Sequence, residues 1–206
     1  MSENFFELFR RYKRYARYTF QYLFLEKPFG LDFSMRDTHL IDETNGEMHG
    51  YAKTDEAHIK QIFNELKIDS SAKIIDIGCG KGLFLKYACK KNFGAIAGIE
   101  YDKHTFDICK RNFERMKLQK RVKLYNGDAS KFLHYGDYNI FYLANPFGAE
   151  IMDKVMDKIV ASHKGKIYVI LYNPTTADVI EAHGAKKIKE LFDKSKSYWT
   201  YIYEIE

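Results

Sequence analysis

From about residue 73 onward, short runs of β-branched and aromatic residues alternate with amphipathic stretches whose apolar positions recur every three or four residues. This alternation is typical of a parallel sheet covered by helices on both faces, so we predict an α/β doubly wound fold. The last two predicted strands are too close in sequence for an intervening helix, and we expect them to pair antiparallel through residues 193–197. The predicted strands span residues 73–78, 95–100, 121–126, 138–144, 166–172, about 185–192 and 198–205.

Helical spacing of apolar residues predicts helices over 106–116 and 151–159, and a third over 59–66. The third opens with Thr54, Asp55 and Glu56, which suit a helix N-cap and an acidic first turn. Residues 26–50, with several glycines and one proline, predict an irregular connector. We therefore expect an N-terminal extension over residues 1–50 and a main domain over 51–206.

The first 25 residues predict a basic aromatic helix. Arg10, Arg14 and Arg17 share one face, and Phe5, Phe9, Tyr12 and Ala16 share another. The interpretation we favour is a helix that packs its aromatic face on the domain and leaves its charges in water. The alternatives are contact with a nucleic acid or a membrane surface, or a cover for the active site.

Composition narrows the class of protein. The chain has 206 residues, 46% of them hydrophobic, which is enough to bury a core. A net charge of +5 permits an acidic partner without indicating one. Three cysteines without CxxC spacing do not indicate a disulfide framework or a metal site. The absence of a long apolar run then favours a cytoplasmic protein.

The segment KIIDIGCGKGLFLKYA predicts a strand that runs through Gly78, Gly80 and Gly82 into a helix. Such a turn brings backbone N–H groups close to a ligand, which suits a nucleotide or the carboxylate of an amino-acid-like cofactor. Two acidic residues follow later strands: Glu100, positioned to bind ribose hydroxyls, and Asp128, positioned to accept from an adenine amine. A dinucleotide fold is the main competitor, but its GxGxxG fingerprint requires glycine where this chain has Leu83.

DIGCGKG, the downstream GIEYD, NGDA and the terminal hairpin together resemble the class I S-adenosylmethionine-dependent methyltransferases over about residues 51–206. The resemblance implies a Rossmann-like seven-stranded sheet of order 3-2-1-4-5-7-6 with strand 7 antiparallel. It also implies S-adenosylmethionine as the cofactor, with roles for matching residues. The methionine part would contact Asp76, Gly78, Cys79 and Gly80, the ribose Glu100 beside Tyr101, and the adenine Asp128 and Ala129.

GYAKTDEAHIKQIF with a later NPF is similar to a group of largely uncharacterised bacterial methyltransferases, and more distantly to the non-SET histone-lysine methyltransferases. In such proteins the loop before the first helix folds over the cofactor. This resemblance implies that Tyr51 and Thr54 bind its carboxylate end, whereas Thr54 could equally serve as the helix N-cap.

Asn145, Pro146 and Phe147 follow the fourth predicted strand and have two interpretations. In amine-directed methyltransferases, a related motif with a second proline holds the target amine and stacks on it. Alternatively, asparagine and proline simply begin the next helix, as Asn173 and Pro174 do after the fifth strand. We expect Asn145 both to cap that helix and to line the methyl-transfer site.

Three functions remain open at this level. The first is a methyltransferase acting on an amine of protein, RNA or a small molecule, and the second is an O- or C-methyltransferase of a small metabolite. The third is an inactive cofactor-binding module.

Overall fold

The computed structural model describes residues 5–35 and 51–206, with side chains from residue 8 onward. The predictions for Phe5 on the aromatic face and for connector residues 36–50 concern parts outside this description. Seven strands within residues 51–206 form one mixed sheet. They are β1 (Lys73–Ile77), β2 (Ala95–Glu100), β3 (Lys123–Asn126), β4 (Ile140–Leu143), β5 (Ile167–Tyr172), β6 (Lys186–Asp193) and β7 (Tyr198–Ile205).

The sheet runs in the order β3-β2-β1-β4-β5-β7-β6. β7 is antiparallel to both β5 and β6, and the other neighbouring strands are parallel. The predicted fold class, strand order and terminal hairpin are therefore confirmed. β3 begins two residues later than predicted because Arg121 still belongs to the preceding turn, where its N–H donates to the Leu118 carbonyl at 2.9 Å.

Helices cover both faces of the sheet. Along the chain they are α1 (Phe5–Gln21), α2 (Glu56–Glu65), α3 (Leu83–Ala88), α4 (Lys103–Arg115), α5 (Ala149–Ala161) and α6 (Ala177–Ala182). Successive strand residues enter opposite cores, so Ile74 packs with one buried cluster while Ile75 and Ile77 pack with the other. Burial on both faces explains why the parallel strands are almost continuously apolar.

Helix α1 presents its arginine face to the domain, contrary to the packing that we favoured from the sequence. Arg14 donates to the Ser195 carbonyl at 3.0 Å, and Arg17 pairs with Asp55 at 2.6 Å. Phe9 and Tyr12 on the opposite face are 49% and 75% exposed. The domain surface under α1 presents oxygen acceptors to Arg14 and Arg17, so the arginine face of the helix docks.

The connector packs into the core over its described part. A π-helical turn (Tyr22–Glu26) and a 3₁₀ turn (Lys27–Phe29) lead to Phe33, which is fully buried. The buried Glu26 carboxylate accepts from the backbone N–H groups of Phe33 and Ser34 at 2.8 and 2.9 Å. We call residues 30–35 the strap. Across the described residues, no helix is long and apolar enough to cross a membrane.

Candidate active site

A crevice of about 950 Å³, counted with the solvent at its mouth, opens where β1, β2 and β4 end. The carboxyl ends of parallel strands are the usual ligand-binding edge of such a sheet. All thirteen side chains or backbones that the sequence predicts for the site line this crevice. They are Tyr51, Thr54, Asp76, Gly78, Cys79, Gly80, Glu100, Tyr101, Asp128, Ala129, Asn145, Pro146 and Phe147.

The glycine loop fits tightly against its neighbours. Gly78 and Gly80 have φ of +76° and +54°, in the left-handed region. A Cβ at Gly80 would lie 2.2 Å from Tyr51 Cδ2, and one at Gly78 would lie 2.6 Å from Pro146 Cβ. Both positions therefore require glycine for backbone conformation and for space. The loop is in contact with Tyr51 on one side and with the Asn-Pro-Phe turn on the other.

Asp76 has a buried carboxyl group, one oxygen of which has no hydrogen-bond partner among the described residues. Its side chain is 2% exposed and lines the crevice, and within the described residues Oδ1 accepts no hydrogen bond. Burial, together with the charge of Glu100, raises the pKa of Asp76 well above its usual range. An unpaired buried carboxylate is costly, so its position at the crevice wall indicates that a ligand supplies the missing donor.

Glu100 holds the glycine loop in place. Its Oε2 accepts from the Gly80 N–H at 2.8 Å, and its Oε1 accepts from the Asp102 N–H at 3.0 Å. Burial outweighs these bonds and raises the pKa of Glu100. Each carboxylate oxygen has a further lone pair, so both can still accept from a pair of hydroxyl groups in the crevice.

Asp128 has a structural role beside the predicted contact with adenine. Its Oδ1 accepts from the Ser130 N–H and hydroxyl at 2.9 and 2.7 Å, which caps the 3₁₀ turn Ala129–Lys131. Its Oδ2 lies 3.1 Å from the exposed Lys131 ammonium. Burial would raise the pKa of Asp128, but the bonds from Ser130 and Lys131 outweigh it and lower this pKa.

Asn145 does not cap helix α5, so this part of the prediction is wrong. The cap residue is Gly148, and Asn145 has φ of +51°. Asn173 likewise has φ of +54°, while Thr176 precedes α6. Asparagine tolerates the left-handed conformation better than most residues with side chains. After β4 and after β5, an asparagine in this conformation turns the chain before a proline.

The two Asn-Pro turns are joined by a hydrogen bond. The Thr175 hydroxyl, two residues beyond Asn173, donates to Asn145 Oδ1 at 2.5 Å. This bond fixes the Asn145 carboxamide and leaves its oxygen one further lone pair. Phe147 is 3% exposed and forms part of the crevice wall.

Thr54 is not the N-cap of α2, and that alternative is also wrong. Asp55 is the cap, because its Oδ1 accepts from the Ala57 N–H at 2.9 Å. The Thr54 hydroxyl instead lies 3.3 Å from the Tyr142 hydroxyl at the crevice wall. Tyr51 donates its hydroxyl to the Phe33 carbonyl at 2.6 Å, which connects the strap to the glycine loop.

Sequence reasoning missed the aromatic floor of the crevice. The rings of Phe84 and Tyr142 stack with centroids 3.7 Å apart, and both residues line the crevice. Their signals in the sequence are only apolar positions on α3 and β4, which look like ordinary core. The buried Lys81, inside the glycine motif, was also missed; it donates to Asp32 Oδ2 of the strap at 2.7 Å.

Comparison of the sequence with known protein families identifies a match over most of the chain. The family described as ribosomal RNA adenine dimethylase matches residues 52–191. Among the residues that line the crevice, that range includes all from Ala52 to Ile151 and leaves out Tyr51. It excludes helix α1 and the strap.

Curated relatives match shorter stretches. An rRNA N(6)-adenosine-methyltransferase of Caenorhabditis elegans is 30% identical over 82 residues, 38% of each chain. An rRNA adenine N-6-methyltransferase of Streptococcus sanguinis is 27% identical over 57% of this chain and 46% of its own. The demethylmenaquinone methyltransferase of Lactobacillus johnsonii is 26% identical over 59% of this chain and 52% of its own. The matched regions thus span about half or less of each relative.

Among solved structures, an RNA methyltransferase from Salinibacter ruber in complex with S-adenosyl-L-homocysteine superposes with a TM-score of 0.62. It is 14% identical and covers 75% of this chain and 94% of its own, which establishes a common fold. The crevice residues fit S-adenosylmethionine: Asp76 Oδ1 has no donor among the described residues, both Glu100 oxygens retain a lone pair, and the glycine loop lines the same crevice. Sheet order, glycine loop and family match agree, and the chain belongs to the ribosomal RNA adenine dimethylase family within the class I S-adenosylmethionine-dependent methyltransferases.

Proposed function

We propose that the protein methylates the exocyclic N6 amine of an adenine in RNA, with S-adenosylmethionine as the donor. The observation that carries this proposal is the position of the Asn145-Pro146-Phe147 turn. It lines the same crevice as Asp76 and Glu100, in a chain whose family is named for adenine dimethylation.

The cofactor, when bound, supplies a methyl group on a positively charged sulfur. In this proposal, Asp76 accepts from its amino group and Glu100 from its ribose hydroxyls. Ala129, at the start of the 3₁₀ turn, contacts its adenine together with Asp128. Phe84 and Tyr142 keep water away from the floor of the crevice, which favours displacement at the methyl carbon.

The acceptor side of the crevice suits an aromatic amine. The N6 amine of adenine is neutral at pH 7, so it needs no base to free a lone pair, but that pair is delocalised into the ring. In the proposed complex, Asn145 Oδ1 accepts from the amine and Phe147 stacks on the base. The N–C bond forms as the C–S bond breaks, the bonding pair stays on sulfur, and the amine proton passes to water.

A labelling experiment tests the acceptor. Protein is incubated with cofactor carrying a tritiated methyl group and with separated RNA, protein and metabolite fractions of a cell extract, and labelled RNA is digested to nucleosides. We expect label in N6-methylated adenosine. Label confined to protein, or to other positions of RNA, would contradict the proposal.

A matched pair of variants tests the role of Asn145. Glycine accepts a positive φ, so Asn145→Gly removes the carboxamide without strain at the turn, and Asn173→Gly makes the same change outside the crevice. We expect Asn145→Gly to lower kcat on the order of 100-fold, by analogy with the loss of one positioned polar group in other enzymes. Asn173→Gly should retain most of the activity, and both variants should bind S-adenosylhomocysteine.

A small-molecule acceptor is the second candidate, because one curated relative is a demethylmenaquinone methyltransferase. Label that appears only among metabolites would favour an O- or C-methyltransferase. Binding of S-adenosylhomocysteine without transfer to any fraction would favour an inactive cofactor-binding module.

A further inference from the structure

A second concave surface, separate from the cofactor crevice, lies between helix α1 and the β6–β7 turn. We call it the basic groove; it encloses about 1610 Å³ with the solvent at its mouth. Its accessible cations come from two parts of the chain: Arg10, Arg11 and Arg14 on α1, and Lys196 in the turn. Lys53 also lines it, but its ammonium is buried and paired with Glu56. Among the described residues that line it, none is acidic.

The basic groove adjoins the cofactor crevice. Ala52 lines both, between Tyr51 at the glycine loop and Lys53 in the groove. The β6–β7 turn also lies at the edge of the sheet where the crevice opens, because β6 runs parallel to β5 and the Asn173 N–H donates to the Trp199 carbonyl at 2.8 Å. A chain bound in the groove therefore reaches the crevice directly.

Contacts between α1 and the β6–β7 turn hold the groove together, and two buried hydroxyls lie in its lining. Arg14 on α1 donates to the Ser195 carbonyl in the turn, and this hydrogen bond joins the two walls of the groove. Tyr18 is 7% exposed and lines the groove, and in the described structure no group meets hydrogen-bond geometry with its hydroxyl, although the Arg17 guanidinium lies over its ring at 5.3 Å. The Ser195 hydroxyl, also in the lining, is buried in the same unpaired state.

Resting on the proposed function, we infer that the basic groove binds the sugar-phosphate backbone of the RNA strand next to the target adenosine. Phosphate oxygens complement the accessible cations Arg10, Arg11, Arg14 and Lys196, and the half-exposed rings of Tyr15 and Tyr198 can stack on adjacent bases. A concave groove fits a single strand, whereas a bilayer surface would require a flat or convex face.

The test uses Arg10→Gln with Lys196→Gln, which removes two groove cations. The control, Lys120→Gln with Lys164→Gln, removes two exposed lysines that precede β3 and β5, at the opposite edge of the sheet. The KM for target RNA and its salt dependence are measured for both, with affinity for S-adenosylhomocysteine by calorimetry. Each phosphate contact on single strands contributes about 0.7 to the slope of log K against log salt.

We expect the groove variant to raise the KM for RNA roughly tenfold near 0.15 M salt and to lower the salt slope by about 1.4. Its kcat and its affinity for S-adenosylhomocysteine should match those of the control. Unchanged KM and slope would overturn the inference, as would loss of binding to phosphatidylserine vesicles without any change toward RNA. If the wild-type protein labels no RNA, the proposed function fails first, and binding of single-stranded RNA by both variants then decides the role of the groove.

Discussion

Among single residues, Asp76 has a charged form that is costly to the stability of the fold. Its raised pKa means that the folded protein holds a proton that the unfolded chain would release, so this carboxyl lowers stability as pH rises from about 4 through the raised value. We expect Asp76→Asn to raise the free energy of unfolding of the cofactor-free protein by about 1–3 kcal/mol at neutral pH. This corresponds to about 2–4 °C in Tm per kcal/mol, measured by thermal scans at several pH values.

The same variant should bind the cofactor weakly. Wild-type affinity for S-adenosylhomocysteine should increase with pH as Asp76 ionises. The affinity of Asp76→Asn should be low and nearly constant over the same pH range, because the amide does not ionise. Equal affinities for the two proteins would show that Asp76 does not accept from the ligand's amino group.

Gly78 packs the glycine loop against the Asn145-Pro146-Phe147 turn. In Gly78→Ala, the new Cβ would meet Pro146 Cβ at 2.6 Å with φ at +76°, so either the loop or the turn must move. We expect loss of at least tenfold in cofactor affinity together with a lower Tm, since alanine at a left-handed position costs about 1–2 kcal/mol before the clash is counted. Gly165→Ala is the control because it adds a Cβ in open space. Calorimetry and thermal scans on both variants check this.

The positions of the site residues could be predicted, whereas several of their local partners could not. Asp76, Glu100 and Asn145 line one crevice as expected, because each lies near the carboxyl end of a strand and parallel strand ends meet at one edge. The conformation of Asn145 and the capping role of Asp55 depend on single dihedral angles and hydrogen bonds. Thr54 and Asp55 are both good N-cap residues, so the sequence does not show which of them caps α2.

Among the elements, the strands were easier to predict than the docking of α1. β1 and β4 are buried on both faces and consist mostly of apolar residues, a pattern typical of the central strands of a parallel sheet. Helix α1 has two faces that could each dock, and the acceptors provided by Asp55, Glu56 and Ser195 favour the face that does. That choice depends on residues far away in the sequence.

Glu56 is the centre of the contact between α1, α2 and α3. Its carboxylate accepts from Gln21 at 2.6 Å, from Lys53 at 3.0 Å and from the Tyr87 hydroxyl. Burial would raise the pKa of Glu56, but these three bonds lower it to about 2. Its folded-state pKa lies below the value of 4.5 for a free side chain, so this stabilisation is present above that value and is lost as pH falls toward 2.

We expect Glu56→Gln to loosen α1 at neutral pH, because a neutral amide is a weaker acceptor for an ammonium and a phenol. Hydrogen exchange should become faster in α1 while the amides of β1 and β4 keep their protection. Glu150→Gln, in an exposed pair with Lys154, serves as the control and should change neither. Equal protection of α1 in both variants would show that the Glu56 contacts do not hold the helix.

At the scale of the whole molecule, the strap belongs to the core of the domain. Phe33 packs among the residues of one buried cluster. Two buried lysines of the main domain also take partners from the described N-terminal segment: Lys53 donates to Gln21 and Ser34, and Lys81 donates to Asp32. The boundary that we predicted at residue 50 therefore separates side chains that stabilise one another.

Two truncations test this dependence. A chain that begins at Tyr51 leaves Lys81 without Asp32 and leaves Lys53 with Glu56 but without Gln21 and Ser34. A buried charge that loses its partner, as Lys81 does, costs about 3–5 kcal/mol. We expect this chain to lose cofactor binding and most of its thermal stability, whereas a chain that begins at Ala16 keeps both. The shorter truncation removes Arg10, Arg11 and Arg14, so it should weaken RNA binding while leaving affinity for S-adenosylhomocysteine intact. A stable, cofactor-binding chain from Tyr51 would establish residues 51–206 as an independent domain and show that the lysines find water or other partners without the strap.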